Sequence, residues 1–422
     1  MTSQTLCDGI FITRLDAKRV FDEEIQPQRG MRILLPQLDY AVDSQRRRVT
    51  TTWVGRFASS AAYRQGHGCS LGEVSDEAPV LAEAASKDGS SLPVTPTDTK
   101  LTQALDRAFA EPSAPPYRRV RAIVVMHDGK IIAERYAQGI GPDTPLLAYS
   151  VSKSVLNALV GILSLDGKLD VNARAPVSAW NAPDDPRHAI TLDQLLRMTS
   201  GLRLEETSSG FDPVSRMLFL ERDMAAFAVQ ARLKEKPGET WEYTSGNSLI
   251  AAAIVRDAVG GHAADVLRFA HSRLFDPLGM RHVTMEFDDA GTPIASTRFF
   301  ASARDWARFG QLYLDDGMVD GKRILPPGWV AYSARPTLDS PYGSGFWINS
   351  GQAESARGWV AAGMPVDTFF ASGNFGQRIV IVPSQRLVIV RFGATVDPPA
   401  FDIRGLNRLV ADVIATRQGQ SP

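Results

Sequence analysis

A chain of 422 residues with 46 Lys and Arg against 47 Asp and Glu has a formal net charge of -1, which excludes a global electrostatic pull toward nucleic acid or an acidic membrane surface. Hydrophobic residues make up 44% and charged residues 22%, the balance of a globular protein able to hold two or three domains. No apolar run reaches transmembrane length. The first residues lack a signal-peptide pattern, so the chain reads either as cytoplasmic or as one whose leader has been removed.

In chain order, Gly9-Ile10-Phe11-Ile12 is a short apolar stretch, and a helical pattern follows around Ala17–Ile25. β-branched and aromatic residues predict a strand or hairpin over Val49–Val54 and Ala61–Arg64. Residues 71–98 contain no Phe, Trp or Tyr and are rich in Ala, Ser, Asp, Glu and Pro, the composition of a loop or linker. A helix begins at Thr99 with Leu101, Leu105 and Phe109 on one side. After Pro112–Pro116, Arg121–Met126 and Lys130–Arg135 form a hairpin across His127-Asp128-Gly129.

Thr191-Leu192-Asp193-Gln194 reads as a capping box before Leu195–Met198, which Thr199-Ser200-Gly201 ends. Residues 202–290 are mostly helix and loop. Another helix starts at Ser302, with Asp305 in the capping-box position, and runs through Trp306, Phe309 and Leu312 to Asp316-Gly317. Strands return at Ser344–Ile348, Thr368–Ala371, Arg378–Val382 and Leu387–Phe392, the last three as an antiparallel meander. A final helix spans Ile403–Thr416. Strands near both ends with helices between them imply an α/β sandwich with a helical insertion. The expected divisions are an N-terminal extension and linker over 1–98, a sheet domain over 99–175 and 291–422, and a helical insertion over 176–290. The basic runs Arg46-Arg47-Arg48 and Arg118-Arg119-Val120-Arg121 read as solvated strand ends.

The stretch Tyr149-Ser150-Val151-Ser152-Lys153-Ser154-Val155-Leu156 bears the strongest chemical signal. Ser150 and Lys153 are three apart, so they share one helical face. Val155, Leu156, Leu159, Val160, Ile162 and Leu163 carry the helix inward until Asp166-Gly167 stops it. A serine hydroxyl is a weak nucleophile until a base takes its proton. A buried lysine can be that base, because a low dielectric disfavours its ammonium. The same spacing occurs on ordinary surface helices, but here apolar residues flank it and no second Ser-x-x-Lys exists in the chain.

Tyr243 lies in Pro237-Gly238-Glu239-Thr240-Trp241-Glu242-Tyr243-Thr244-Ser245-Gly246-Asn247, on a loop before the helix Leu249–Val255. A phenol there could relay a proton for Lys153 or be a core tyrosine. Phe370-Ala371-Ser372-Gly373-Asn374-Phe375-Gly376-Gln377 places small residues beside the meander, fit for a second backbone donor to an oxyanion or for a plain turn. Gly345–Asn349 with Trp359, Phe369 and Phe370 offers either an apolar pocket or sheet packing. No Gly-x-Ser-x-Gly is present, which disfavours a conventional Ser-His-Asp hydrolase. Two cysteines, Cys7 and Cys69, are too few for a metal site, and the six histidines make no ligand spacing. The cysteines are either one disulfide or two buried thiols.

Together, Tyr149–Ser154, Leu195–Leu202, Pro237–Asn247, Ala303–Gly310 and Ala371–Gln377 resemble the serine β-lactamase and penicillin-binding-protein superfamily. Leu6–Phe11 and Gly66–Cys69 add a likeness to its class C-like branch, which holds family VIII esterases and 6-aminohexanoate-dimer hydrolases. The resemblance implies an antiparallel sheet flanked by helices, with a helical insertion domain and an N-terminal extension. It implies that Ser150 is acylated and that Lys153 and Tyr243 share the acid and base work. It places the oxyanion at the backbone N–H groups of Ser150 and Asn374 if Ala371-Ser372-Gly373 stands where the family has Lys-Thr-Gly; a register running to Gln377 is the alternative. Tyr149, Ser245, Ser372, Gly373 and Trp347 would contact substrate. No cofactor and no metal is implied.

Two departures stand out. Ala371 removes the lysine that meets a substrate carboxylate, and Ser245 replaces the asparagine that contacts a substrate amide. A missing partner for a buried carboxylate is costly. The expectation is therefore a serine hydrolase of amides or esters. The alternatives are a class C-like β-lactamase or D-alanyl-D-alanine peptidase using Arg378 or another arginine, and a catalytically silent scaffold. The partner would be a small-molecule amide or ester, with neither nucleic acid nor a membrane span, and a homodimer is compatible. Export to the periplasm or medium is expected from the resemblance of the N-terminal pattern.

Overall fold

This computed structural model describes residues 1–28, 30–72, 92–207, 210–396 and 403–418. The N-terminal segment opens with a helix, Thr2–Cys7, and builds a four-stranded meander from β1 (Leu38–Asp43), β2 (Arg48–Trp53), β3 (Phe57–Arg64) and β4 (Gly68–Leu71). β2 and β3 match the strands expected from β-branched and aromatic residues. β1 and β4 were not expected: β1 ends in aspartate and β4 has four residues, too little pattern to read. Cys7 and Cys69 are joined in a disulfide that ties the first helix to β4. The expected linker falls largely on residues 73–91, outside the described residues.

The hairpin expected after the proline run is β5 (Val120–His127) and β6 (Lys130–Tyr136). A small sheet joins β7 (Leu146–Leu147), β8 (Thr284–Met285) and β9 (Phe299–Ala301), with β9 in the middle. A short hairpin follows in β10 (Met318–Val319) and β11 (Lys322–Arg323). The chain then returns with β12 (Trp347–Ile348), β13 (Phe369–Gly373), β14 (Gln377–Val382) and β15 (Leu387–Gly393). The main sheet is antiparallel throughout, in the order β12-β13-β14-β15-β5-β6.

Period-two alternation feeds two cores from one sheet. Ile123 and Val125 of β5, with Val380, Val382 and Ile389, pack against Leu101, Leu105, Leu406, Leu409, Val410 and Val413 from the helices Thr99–Phe109 and Ile403–Gln418. Ala122, Val124 and Met126, with Ile379, Ile381, Val388 and Val390, face the larger core holding Trp306 and Phe309 of the helix Ala303–Leu314. Both faces being covered explains why Ala122–Met126 of β5 reads as an unbroken apolar run. The helical region contains Leu192–Leu196, Pro213–Leu220, Met224–Val229, Ser245–Val259 and Ala263–Ala270. The capping box at Thr191 and Gln194 is present with both bonds. Among the described residues no helix is long and apolar enough to cross a membrane.

Three expectations need correction. The strand expected over Ser344–Ile348 is only Trp347–Ile348. Gly345 takes φ +74°, and the Ser344 and Gly345 carbonyls accept from Asn157 and Ser154 instead of a neighbouring strand. At Ser302 half of the capping box forms: Ser302 Oγ accepts the Asp305 N–H, but the Asp305 carboxylate turns to the His282 N–H and Arg308. The run at 118–121 is no solvated strand end throughout, because Arg121 is buried and bonded to Glu24 at 2.6 Å.

Candidate active site

Ser150 lies in a single 3-10 turn, Tyr149–Val151, leading into the helix Ser152–Leu165. Tyr149 sits at φ +48°, a conformation that costs a non-glycine residue energy and must be held by its surroundings. Its ring meets Phe375 edge-on with centroids 4.9 Å apart. Its phenol is pushed well above the ordinary range by burial and lies in the field of Glu24, Arg298, Asp8 and Arg121. The polar end of Tyr149 therefore lies toward the N-terminal segment, where it braces the turn. Ser152 Oγ donates to the Tyr149 carbonyl at 2.7 Å and accepts the Phe299 N–H at 3.1 Å, fastening the turn to β9.

One turn below Lys153, Asn157 is fully buried. Its amide donates to the Ser344 carbonyl and hydroxyl, and its oxygen accepts from Tyr313, Trp329 and Ser333. A buried polar network of this kind fixes one helix position, so the Ser150–Lys153 face cannot rotate freely.

Lys153 is 3% exposed. Its Nζ donates to Ser150 Oγ at 3.1 Å, to Ser245 Oγ at 3.2 Å and to the Ser296 carbonyl at 2.9 Å. Burial lowers its pKa to about 8, against an opposing pull from Glu206. The amine also lies 4.9 Å from the centre of the Tyr243 ring. The Tyr243 hydroxyl is within hydrogen-bonding reach of Ser150; burial and then Glu206 push its phenol above the ordinary range, while Ser150 and Arg378 pull it down. Tyr342 and Trp347 each lie 5.6 Å from the Tyr243 ring, so Trp347 of β12 and Tyr342 before it wall one side of the site with aromatic surface. Phe346, by contrast, is buried against Tyr313 and Phe369, in the core.

β13 passes directly against the turn that carries Ser150. A Cβ added at Gly373 would meet the Ala148 oxygen at 2.2 Å and the Ser150 nitrogen at 3.2 Å, so only glycine lets the two backbones approach this closely. Asn374 follows, exposed, at the head of a turn in which Phe375 takes φ +57°. Ser372 is half-buried and pairs in register with Arg378 on β14. The Arg378 guanidinium donates to the Gly373 and Gln377 carbonyls, and burial lowers its pKa to about 10.

Ser150, Lys153, Tyr243, Ser245, Gly373 and Trp347 are thus brought together from four parts of the chain. Sequence reasoning missed Glu206, Ser296 and Asn157. Asn157 could have been found as the polar residue four after Lys153 in an apolar run; Glu206 and Ser296 lie in loops without pattern. Asp8, Cys69 and Glu286 lie close enough to hold a metal ion. However, Cys69 is spent in the disulfide and Arg298 pairs with Asp8, so the donor set fits an internal ion pair and not a metal.

The beta-lactamase family profile matches residues 105–413. A 6-aminohexanoate-dimer hydrolase of Paenarthrobacter ureafaciens is 27% identical over 304 residues, covering 68% of this chain and 75% of that protein. A family VIII carboxylesterase structure superposes with a TM-score of 0.55 at 16% identity, covering 75% of this chain and 97% of the other. A class C beta-lactamase from Rhodobacter sphaeroides gives a TM-score of 0.55 at 18% identity, over 75% of this chain and 100% of its own. The chain belongs to the beta-lactamase family.

Proposed function

We propose that the protein is a serine hydrolase that cleaves amide or ester bonds through an acyl-enzyme on Ser150. The observation that carries this reading is the 3.1 Å contact between Lys153 Nζ and Ser150 Oγ at a lysine whose pKa burial lowers to about 8. That value suits a base working near neutral pH. Neutral Lys153 takes the Ser150 proton as Oγ bonds to the carbonyl carbon. The oxyanion forms against the backbone N–H groups of Ser150 and Asn374. Tyr243, whose phenol stays protonated, passes a proton to the leaving amine or alcohol and is refilled from Lys153. Water then repeats the attack on the acyl carbon, with Lys153 again as base, and Ser150 is released.

The names of the relatives support amide and ester bonds as the class: one is called a 6-aminohexanoate-dimer hydrolase and another a family VIII carboxylesterase. If Ala371-Ser372-Gly373 stands where the family has Lys-Thr-Gly, then Ala371, which is fully buried, supports substrates without an essential carboxylate. A second reading, β-lactamase or D-alanyl-D-alanine peptidase, has one observation in its favour: Arg378 lies across the strand pair from Ser372. The third, a silent scaffold, would be expected to lack one of Ser150, Lys153 and Tyr243.

The test is a hydrolysis panel of p-nitrophenyl esters of short and medium chain, nitrocefin and the linear 6-aminohexanoate dimer, on the protein and Ser150→Ala. Intact mass is recorded after brief exposure. Ester or amide turnover and an acyl adduct, both lost in Ser150→Ala, are expected, with slow nitrocefin cleavage. Fast nitrocefin turnover would transfer the proposal to the β-lactamase reading. Neither turnover nor adduct would favour the scaffold.

A further inference from the structure

Lys153 faces three oxygen partners: the hydroxyls of Ser150 and Ser245 and the carbonyl of Ser296. As an ammonium it has a proton for each. As a neutral amine it has one proton fewer and a lone pair, which must meet a donor. The Ser296 carbonyl cannot donate, but either hydroxyl can. A lone pair aimed at Ser245 does nothing for Ser150.

Glu206 decides between them. It is half-buried on the loop after Leu204. One carboxylate oxygen accepts the Ser245 main-chain N–H at 2.6 Å, and the other accepts the Ser245 hydroxyl at 3.2 Å. A carboxylate only accepts, so the Ser245 proton is committed to Glu206 and its lone pairs are left for Lys153. We infer that Glu206 is a positioning residue which, acting through Ser245, aims the Lys153 lone pair at the Ser150 hydroxyl. The inference rests on the serine-hydrolase reading. In the attack step the Ser150 O–H bond breaks, its proton goes to Lys153 Nζ, the Oγ–C bond forms and the carbonyl electron pair moves to oxygen. The new ammonium then finds its acceptors already arranged.

Among the described residues, the charged or titratable groups facing Lys153 are Glu206 and the Tyr243 phenol, with Arg378 on β14 facing Tyr243 in turn. Removing the Glu206 charge therefore makes Lys153 easier to deprotonate. A merely structural role is also defined: Glu206 satisfies the N–H of the first residue of the helix Ser245–Val259. Glu206→Gln keeps an acceptor for that N–H, but its amide can donate to Ser245 Oγ and free the Ser245 proton to compete for Lys153.

The test is the rate at which a fluorophosphonate labels Ser150, followed by intact mass across pH. It compares the native protein, Glu206→Gln, Ser245→Ala and the double variant, with a melting temperature for each. In Glu206→Gln, labelling should slow about tenfold on the plateau, with the rising limb moved to lower pH. In the Ser245→Ala background the same change should cost little, because the competing donor is gone. An equal loss in both backgrounds, an unmoved limb, or a lowered melting temperature with unaltered labelling would overturn the inference while leaving the serine-hydrolase reading standing. A native protein that takes no label would overturn both.

Discussion

Lys153 can act as a base only when neutral, and its environment sets when that is. Burial lowers its pKa to about 8, so about a tenth of the protein carries the neutral amine at pH 7. The rate of Ser150 acylation should therefore rise with pH, bend near 8 and level above it. A stopped-flow pH profile with a p-nitrophenyl ester would check this. Lys153→Arg should cut the rate by roughly 10²- to 10⁴-fold, since a guanidinium does not deprotonate in this range, and raising the pH should not restore it. The pair Ser150 and Lys153 was legible in the sequence because a helix makes spacing into geometry. Tyr243 was legible as a tyrosine on a Pro-Gly-led loop, but its distance to Lys153 was not. Glu206 and Ser296 carried no signal, since their positions follow from loop conformation and long-range packing.

At the scale of elements, the helix Ser152–Leu165 is held by Asn157 and by the approach of β13. Asn157→Leu keeps the shape but strands the buried Trp329 indole N–H and removes the shorter of the two bonds made by the Tyr313 hydroxyl, while the Ser333 hydroxyl keeps the Trp329 carbonyl. A stranded buried group costs about 1–3 kcal/mol, so denaturant unfolding should report a loss of roughly 2 kcal/mol or more. Gly373→Ala acts differently. Its methyl group would enter the space of the Ala148 carbonyl, 2.2 Å away, and push β13 off the turn that carries Ser150. Esterase activity should fall at least about tenfold while far-UV circular dichroism stays native, because overpacking of this kind typically costs only about 1–3 kcal/mol. The meander β13–β15 was legible from its β-branched runs. The failed expectation at Ser344–Ile348 shows where such reading stops. An apolar stretch looks like a strand, yet a left-handed glycine and carbonyls already claimed by Ser154 and Asn157 prevent pairing.

At the scale of the molecule, the N-terminal segment lies beneath the active site and is clamped there. Gln4 bonds to Asp8, Glu286 and the Cys69 carbonyl; Arg298 pairs with Asp8; and Tyr149, next to Ser150, leans toward the same cluster. The sequence offered either a disulfide or two buried thiols here, since spacing alone does not place two cysteines. The bond Cys7–Cys69 closes a loop with a sequence separation of 62. On the chain-entropy account, closing such a loop contributes about 4 kcal/mol by restricting the unfolded chain. Thermal unfolding with and without reductant separates that contribution from packing. Reductant should lower the melting temperature of the native protein toward that of Cys7→Ser/Cys69→Ser and leave the variant where it is. If reductant moved both equally, the loss would lie in some other effect of the reagent. If it moved neither, the cluster of Gln4, Asp8, Glu286 and Arg298 would be sufficient to hold the segment. Ester turnover should fall along with the melting temperature, because a loosened N-terminal segment withdraws the support that keeps Tyr149 in its left-handed conformation and Ser150 at the Lys153 amine.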